Sequence, residues 1–68
     1  MINLAKIRGT IIEKFGTNSE YAKQTGYSQS ELSKILNGNR KIDLKFADTF
    51  IHECNITPDE AFAIFFAK

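Results

Sequence analysis

The chain has 68 residues, 43% of them hydrophobic and 25% charged, with a formal net charge of +1; a domain of this size buries only about 60% of its unfolded surface, so packing or dimerisation has to supplement its stability. The composition excludes a disordered chain, and the lack of any apolar run near about 18 residues excludes a helical membrane span. A lone Cys54 excludes an internal disulfide framework and, with no signal peptide in view, favours a reducing, cytoplasmic setting.

The charge is unevenly spread. Up to Lys45 eight Lys/Arg face four Asp/Glu (+4), and beyond it Lys68 stands against Asp48, Glu53, Asp59 and Glu60 (−3). A basic front and an acidic back would orient the protein on a polyanion, although imbalances of this size between halves are common.

No repeat, linker or strand pattern interrupts the chain, which reads as one all-α domain over residues 1–68. The spacing of Leu4, Ile7, Ile11, Ile12 and Phe15 predicts a first helix over 3–15 with these residues inward and Lys6, Arg8, Glu13 and Lys14 off that face. Gly9, costly inside a helix, suggests a close approach by another helix. Gly16 is a stop. Thr17 and Glu20 have the spacing of a capping box, opening a second helix with Tyr21, Ala22 and Thr25 inward and Gly26 as a left-handed end. Ser28 and Glu31 form a second such pair, and Leu32, Ile35 and Leu36 are the buried stripe of a third helix closed by Asn37-Gly38. Asn39, Arg40 and Lys41 form a basic loop. Asp43 caps a fourth helix whose expected inner face is Leu44, Ala47, Phe50, Ile51 and Cys54, with Phe46 off that stripe. After Asn55-Ile56, Thr57, Pro58 and Glu60 give a third capping box and a fifth helix carrying Phe62, Ile64, Phe65 and Phe66.

The second and third helices carry the functional signal. Both are short, and a turn as tight as that at Gly26 imposes the large crossing angle of a helix-turn-helix. The outer face of the third helix then holds Gln29, Ser30, Ser33, Lys34 and Asn37, none acidic and all able to hydrogen-bond. In a major groove Gln pairs with adenine N6 and N7, and Lys with guanine O6 and N7. The alternative is a merely solvated helix face, and Lys34, Arg40 and Lys41 as solubilising charges.

The stretch TNSEYAKQTGYSQSELSKILNGNR, from Thr17 to Arg40, resembles the Cro/CI-type helix-turn-helix family of phage repressors, through Ala22, Gly26, Leu32, Ile35 and Asn37-Gly38. The opening Met-Ile-Asn and the late Phe-Phe look like short Cro-like regulators of Gram-positive phages and prophages. The resemblance implies a compact five-helix lambda-repressor-like fold and double-stranded operator DNA as partner. It implies base contacts from Ser28, Gln29, Ser30, Ser33 and Lys34, and phosphate contacts from Thr17, Asn18, Asn37, Gly38 and Arg40, with Lys41 adding to the same basic loop. Asn18 stands where the family often has Gln, and Tyr21 and Thr25 where it has aliphatic residues. Tyr27 matches a position normally buried and reads as core.

Phe62, Phe65 and Phe66 exceed what one small core needs and suggest the face of a homodimer, which would set two recognition helices about 34 Å apart. The alternative has them completing the core against Leu4, Ile7 and Ile11. An antitoxin or restriction-modification controller of the same fold, or a protein-interaction module without DNA, remain rival functions. An enzyme is disfavoured. The only histidine, His52, lies two residues from Cys54, so the two point to different helix faces and no metal pair forms; no phosphate loop, cofactor motif or small-molecule site is evident.

Overall fold

The computed structural model describes residues 2–66; Met1 of the opening triplet and Lys68, the one Lys/Arg beyond Lys45, lie outside them. Five helices follow in order: α1 Leu4–Phe15, α2 Asn18–Thr25, α3 Gln29–Leu36, α4 Leu44–Glu53 and α5 Pro58–Phe65. Among the described residues there is no strand, and no helix is long and apolar enough to cross a membrane.

Each helix begins at a side-chain cap. Asn3, Thr17, Ser28, Asp43 and Thr57 each accept a hydrogen bond from the backbone N–H three residues on, satisfying one of the amides a helix start leaves free. Of the three expected capping boxes only that of α5 is complete, with the Thr57 N–H donating to Glu60 Oε1 at 3.1 Å. Glu20 instead accepts from Gln24 Nε2 at 2.9 Å, and Glu31 pairs with Arg40.

The helix ends also follow from sequence. Gly26 adopts the left-handed conformation (φ 84°) that turns the chain from α2 into α3. Gly38 (φ 78°) closes α3: its N–H donates to Ile35 O and that of Asn39 to Lys34 O, a Schellman pair. Asn55 (φ 55°) does the same for α4, with Asn55 bonded to His52 O and Ile56 to Ile51 O.

The core gathers Ile7 and Ile11 of α1, Tyr21 and Ala22 of α2, Leu32, Ile35 and Leu36 of α3, Phe46 and Phe50 of α4, Cys54, and Ile64 of α5. Leu4, Phe15, Tyr27, Ile42, Ile56 and Phe65 pack around it. The Asn3 N–H donates to Ile64 O at 2.8 Å, so the chain's first turn is tied to its last helix. Tyr21 is fully buried, edge-on to Phe15, and its hydroxyl has no hydrogen-bond partner among the described residues. Burial, with a smaller contribution from Cys54, pushes its pKa up.

Four further expectations are corrected. Leu44, placed inward by its spacing, is 88% exposed, while Phe46, placed off the stripe, is fully buried. Phe46 fills the space between Tyr27 (centroids 5.8 Å apart) and Phe50 (6.2 Å), and a ring there excludes more water than a leucine at the first position of the helix. Ile12 is 48% exposed, beside Arg8 one turn earlier on the same flank of α1. A Cβ added at Gly9 would meet no other element within 4 Å among the described residues, so no close helix approach explains this glycine. His52 is exposed and Cys54 buried, on different faces as expected.

Candidate nucleic-acid interface

Capped by Ser28 and closed by Gly38, α3 leaves three rows of side chains outside the core. Gln29, Ser33 and Asn37, at intervals of four, form one row. They border a cleft of about 230 Å³ together with Arg8 of α1 and Asn18 at the start of α2. Ser30 and Lys34 form the next row, both exposed. Glu31 lies on the far flank, above a hollow bordered by Tyr27, Arg40, Lys41 and Lys45. Gln29 also edges a hollow on the other side, with Thr17, Ser19 and Lys23, so its side chain stands at the rim between α2 and α3.

Several sequence-predicted residues are already engaged. The Ser28 Oγ accepts from the Glu31 N–H at 3.1 Å, and Thr17 Oγ1 from the Glu20 N–H at 3.1 Å; each hydroxyl keeps its own proton to donate. Asn37 Nδ2 donates to Ser33 Oγ at 3.3 Å. The Gly38 N–H is committed to Ile35 O. Arg40 Nη1 donates to Glu31 Oε2 at 3.1 Å, in an ion pair with 53% and 37% of the two side chains accessible. Gln29, Ser30, Lys34 and Lys41 are exposed. The structure therefore brings Asn18, Gln29, Ser33 and Asn37 to one cleft and Arg40 and Lys41 to the opposite flank of α3.

Sequence reasoning missed Arg8. Its Nη1 donates to Leu36 O at 2.7 Å, a contact spanning 28 residues that satisfies a carbonyl at the C-terminus of α3. A guanidinium there also complements the negative end of the helix dipole. It ties α3 to α1 and places a cation at the cleft beside Gln29, Ser33 and Asn37. The only available signal was the break it makes on the flank of α1 next to Ile12, which spacing alone assigned to solvent.

Tyr27 is half-buried against Phe46, with Lys45 Nζ 5.9 Å from its ring centroid, which agrees with its reading as core. Burial raises its pKa, and Asp43 and Glu31 act in the same sense.

On α5, Phe65 packs edge-on to Phe50 at 6.0 Å, while Phe62 and Phe66 are 63% and 68% exposed and lie against each other at 5.9 Å. Phe66 and Phe65 border an apolar hollow of about 420 Å³ with Ile2, Leu44 and Ile51, rimmed by Asp43 and Asp48. This hollow shares no residue with the cleft at α3.

A family model described as Helix-turn-helix matches residues 11–60, from within α1 to the first turn of α5. No curated protein and no solved structure gives a significant match.

Proposed function

We propose that this chain, which belongs to the Cro/C1-type helix-turn-helix family of DNA-binding transcription regulators, is a Cro-like phage or prophage repressor that occupies double-stranded operator DNA. The observation that carries the reading is the outer surface of α3: Gln29, Ser30, Ser33 and Lys34 are exposed side by side, without a carboxylate among them, on a helix capped at both ends and tied to α1 by Arg8. In this reading α3 lies in the major groove. Gln29, Ser30, Ser33 and Lys34 meet base edges, with Ser28 at the helix start offering its hydroxyl proton. Thr17, Asn18, Asn37, Gly38, Arg40 and Lys41 flank α3 and meet phosphates, for which the Gly38 N–H competes with its bond to Ile35 O. Repression follows from excluding polymerase and needs no bond chemistry.

The homodimer is part of the same proposal. The chain measures 28 × 24 × 19 Å and offers one recognition helix, whereas successive major grooves are about 34 Å apart. The exposed Phe62 and Phe66, next to Phe65 and the apolar hollow, support a self-complementary face apart from the cleft at Gln29, Ser33 and Asn37. Selection of bound duplexes from a random library, followed by a salt series, tests the function. A palindromic consensus bound ever more weakly as salt rises is the expected result. Failure to enrich any duplex refutes the reading.

A further inference from the structure

The three Thr/Ser-x-x-Glu helix starts of this chain behave differently for a local reason. At α5 Glu60 has no competing donor described and closes the box on the Thr57 N–H. At α2 Gln24, one turn on, draws Glu20 away. At α3 Arg40, nine residues on, draws Glu31 away at 3.1 Å, and the Ser28 N–H is left with no protein partner among the described residues. Glu31 thus has two partners within its reach: the guanidinium that holds it and the amide at the start of α3, three residues back, where Glu60 shows the same side chain type bonded in the same motif.

Resting on the operator-binding reading above, we propose that Glu31 is a specificity-determining residue that exchanges partners on DNA. Free in solution, it masks Arg40, halving the exposed cationic charge that Arg40 and Lys41 present on that flank. A phosphate that takes Arg40 also repels the carboxylate, which then swings to the Ser28 N–H and completes the cap of α3. The mask weakens binding to any phosphate backbone, whereas the completed cap stiffens the end of α3 that carries Gln29. The exchange therefore costs random DNA more than it costs a site where α3 is seated.

Hydrogen exchange of the Ser28 amide, read by NMR with and without the selected operator duplex, tests this with three proteins. In the wild type the amide is expected to exchange freely alone and to become protected on DNA. Glu31→Gln keeps an acceptor but not the charge, so its Ser28 amide is protected even without DNA. Its affinity for random duplex rises about two- to fivefold, the scale on which an exposed ion pair resists separation, and its preference for operator over random duplex falls. Glu31→Ala shows no Ser28 protection in either state. Protection in Glu31→Ala on DNA means that the duplex, not Glu31, covers the amide and overturns the proposal. So does a wild-type amide that stays unprotected in a formed complex, or a Glu31→Gln protein with unchanged random-duplex affinity. A wild-type protein that binds no duplex overturns the DNA reading, and the proposal with it.

Discussion

Replacing Gln29 and its neighbour Ser28 by alanine separates reading from scaffolding. Gln29 is the first residue of α3, exposed at the rim between two hollows, with no side-chain hydrogen bond described. Its truncation leaves the fold nearly untouched, within about 0.5 kcal/mol. In a groove its amide offers one donor and one acceptor in a plane, the complement of adenine N6 and N7. Losing that pair costs about 1–3 kcal/mol, or roughly 5- to 150-fold in operator affinity. Binding to random duplex, which is mostly electrostatic, stays the same. Ser28 behaves otherwise. Its Oγ holds the Glu31 amide at 3.1 Å, and removing the cap costs about 1 kcal/mol of stability. In a domain this small that lowers Tm by about 4–8 °C. Fluorescence anisotropy on the selected operator and its single-base variants, beside thermal melts of both proteins, makes the comparison. Ser28→Ala is expected to melt early, so that any loss of binding comes with a loss of stability. Gln29→Ala is expected to melt normally and to lose preference at one base pair per half-site. Equal loss of specific and random binding by Gln29→Ala, with base preference unchanged, refutes the placement of α3.

Arg8→Ala frees Leu36 O at the end of α3, so we expect a loss of about 1 kcal/mol, since the side chain is exposed and water competes for the carbonyl. Thermal melts and operator titration should show weaker binding with intact base preference, and Arg8→Lys should recover part of it. Phe66, 68% exposed, should tolerate Phe66→Asp with helicity intact by circular dichroism while sedimentation reports monomers; Phe65→Asp should also lower helicity, because Phe65 packs on Phe50. Cys54, buried and pushed by that burial from the ordinary thiol value of 9.0 to about 11, should resist iodoacetamide until urea unfolds the chain. Because the folded thiol holds its proton longer than the unfolded one, its contribution to stability is complete below pH 9.0 and is lost as pH rises through about 11, an alkaline loss that denaturant titrations at several pH values will show.

Helix order, caps and the left-handed closures were legible in the sequence because they depend on residues within one turn of each other. Which edge of a helix faces inward was less so. In α4 the stripes through Leu44 and through Phe46 both contain Phe50 and Cys54, and spacing alone does not choose between them. Tyr27 decides it, from another helix junction 19 residues back, by offering Phe46 an aromatic neighbour. In α1 the same ambiguity put Ile12 inside, whereas it is 48% exposed on the flank of Arg8, which is exposed as expected and reaches α3 through its guanidinium. The candidate site was legible as a set of polar residues on α3. Its engagements were not, because the Arg8 and Arg40 bonds join residues 28 and nine positions apart. The spacing of Ser28 and Glu31 satisfied the local rule for a capping box, and a cation from outside the helix overrode it.

A net charge of +1 gives this chain little long-range pull on DNA, so the distribution of charge has to supply it. Arg8, Lys34, Arg40 and Lys41 stand around α3, Asp43 lies between the Arg40–Lys41 hollow and the apolar hollow bordered by Leu44 and Phe66, and Asp48 rims the latter. In the proposed dimer the second copy doubles the number of phosphate contacts without changing the charge of either recognition surface. It also brings like-charged rims toward each other. Across a Debye length of about 8 Å at physiological ionic strength that repulsion is already partly screened, and more salt screens it further. The same salt weakens every phosphate contact. Ionic strength therefore acts on the two faces in opposite senses: it favours pairing through the aromatic face and disfavours the duplex. On the proposed reading DNA at moderate salt holds both together, because two linked recognition helices bind one duplex as a unit.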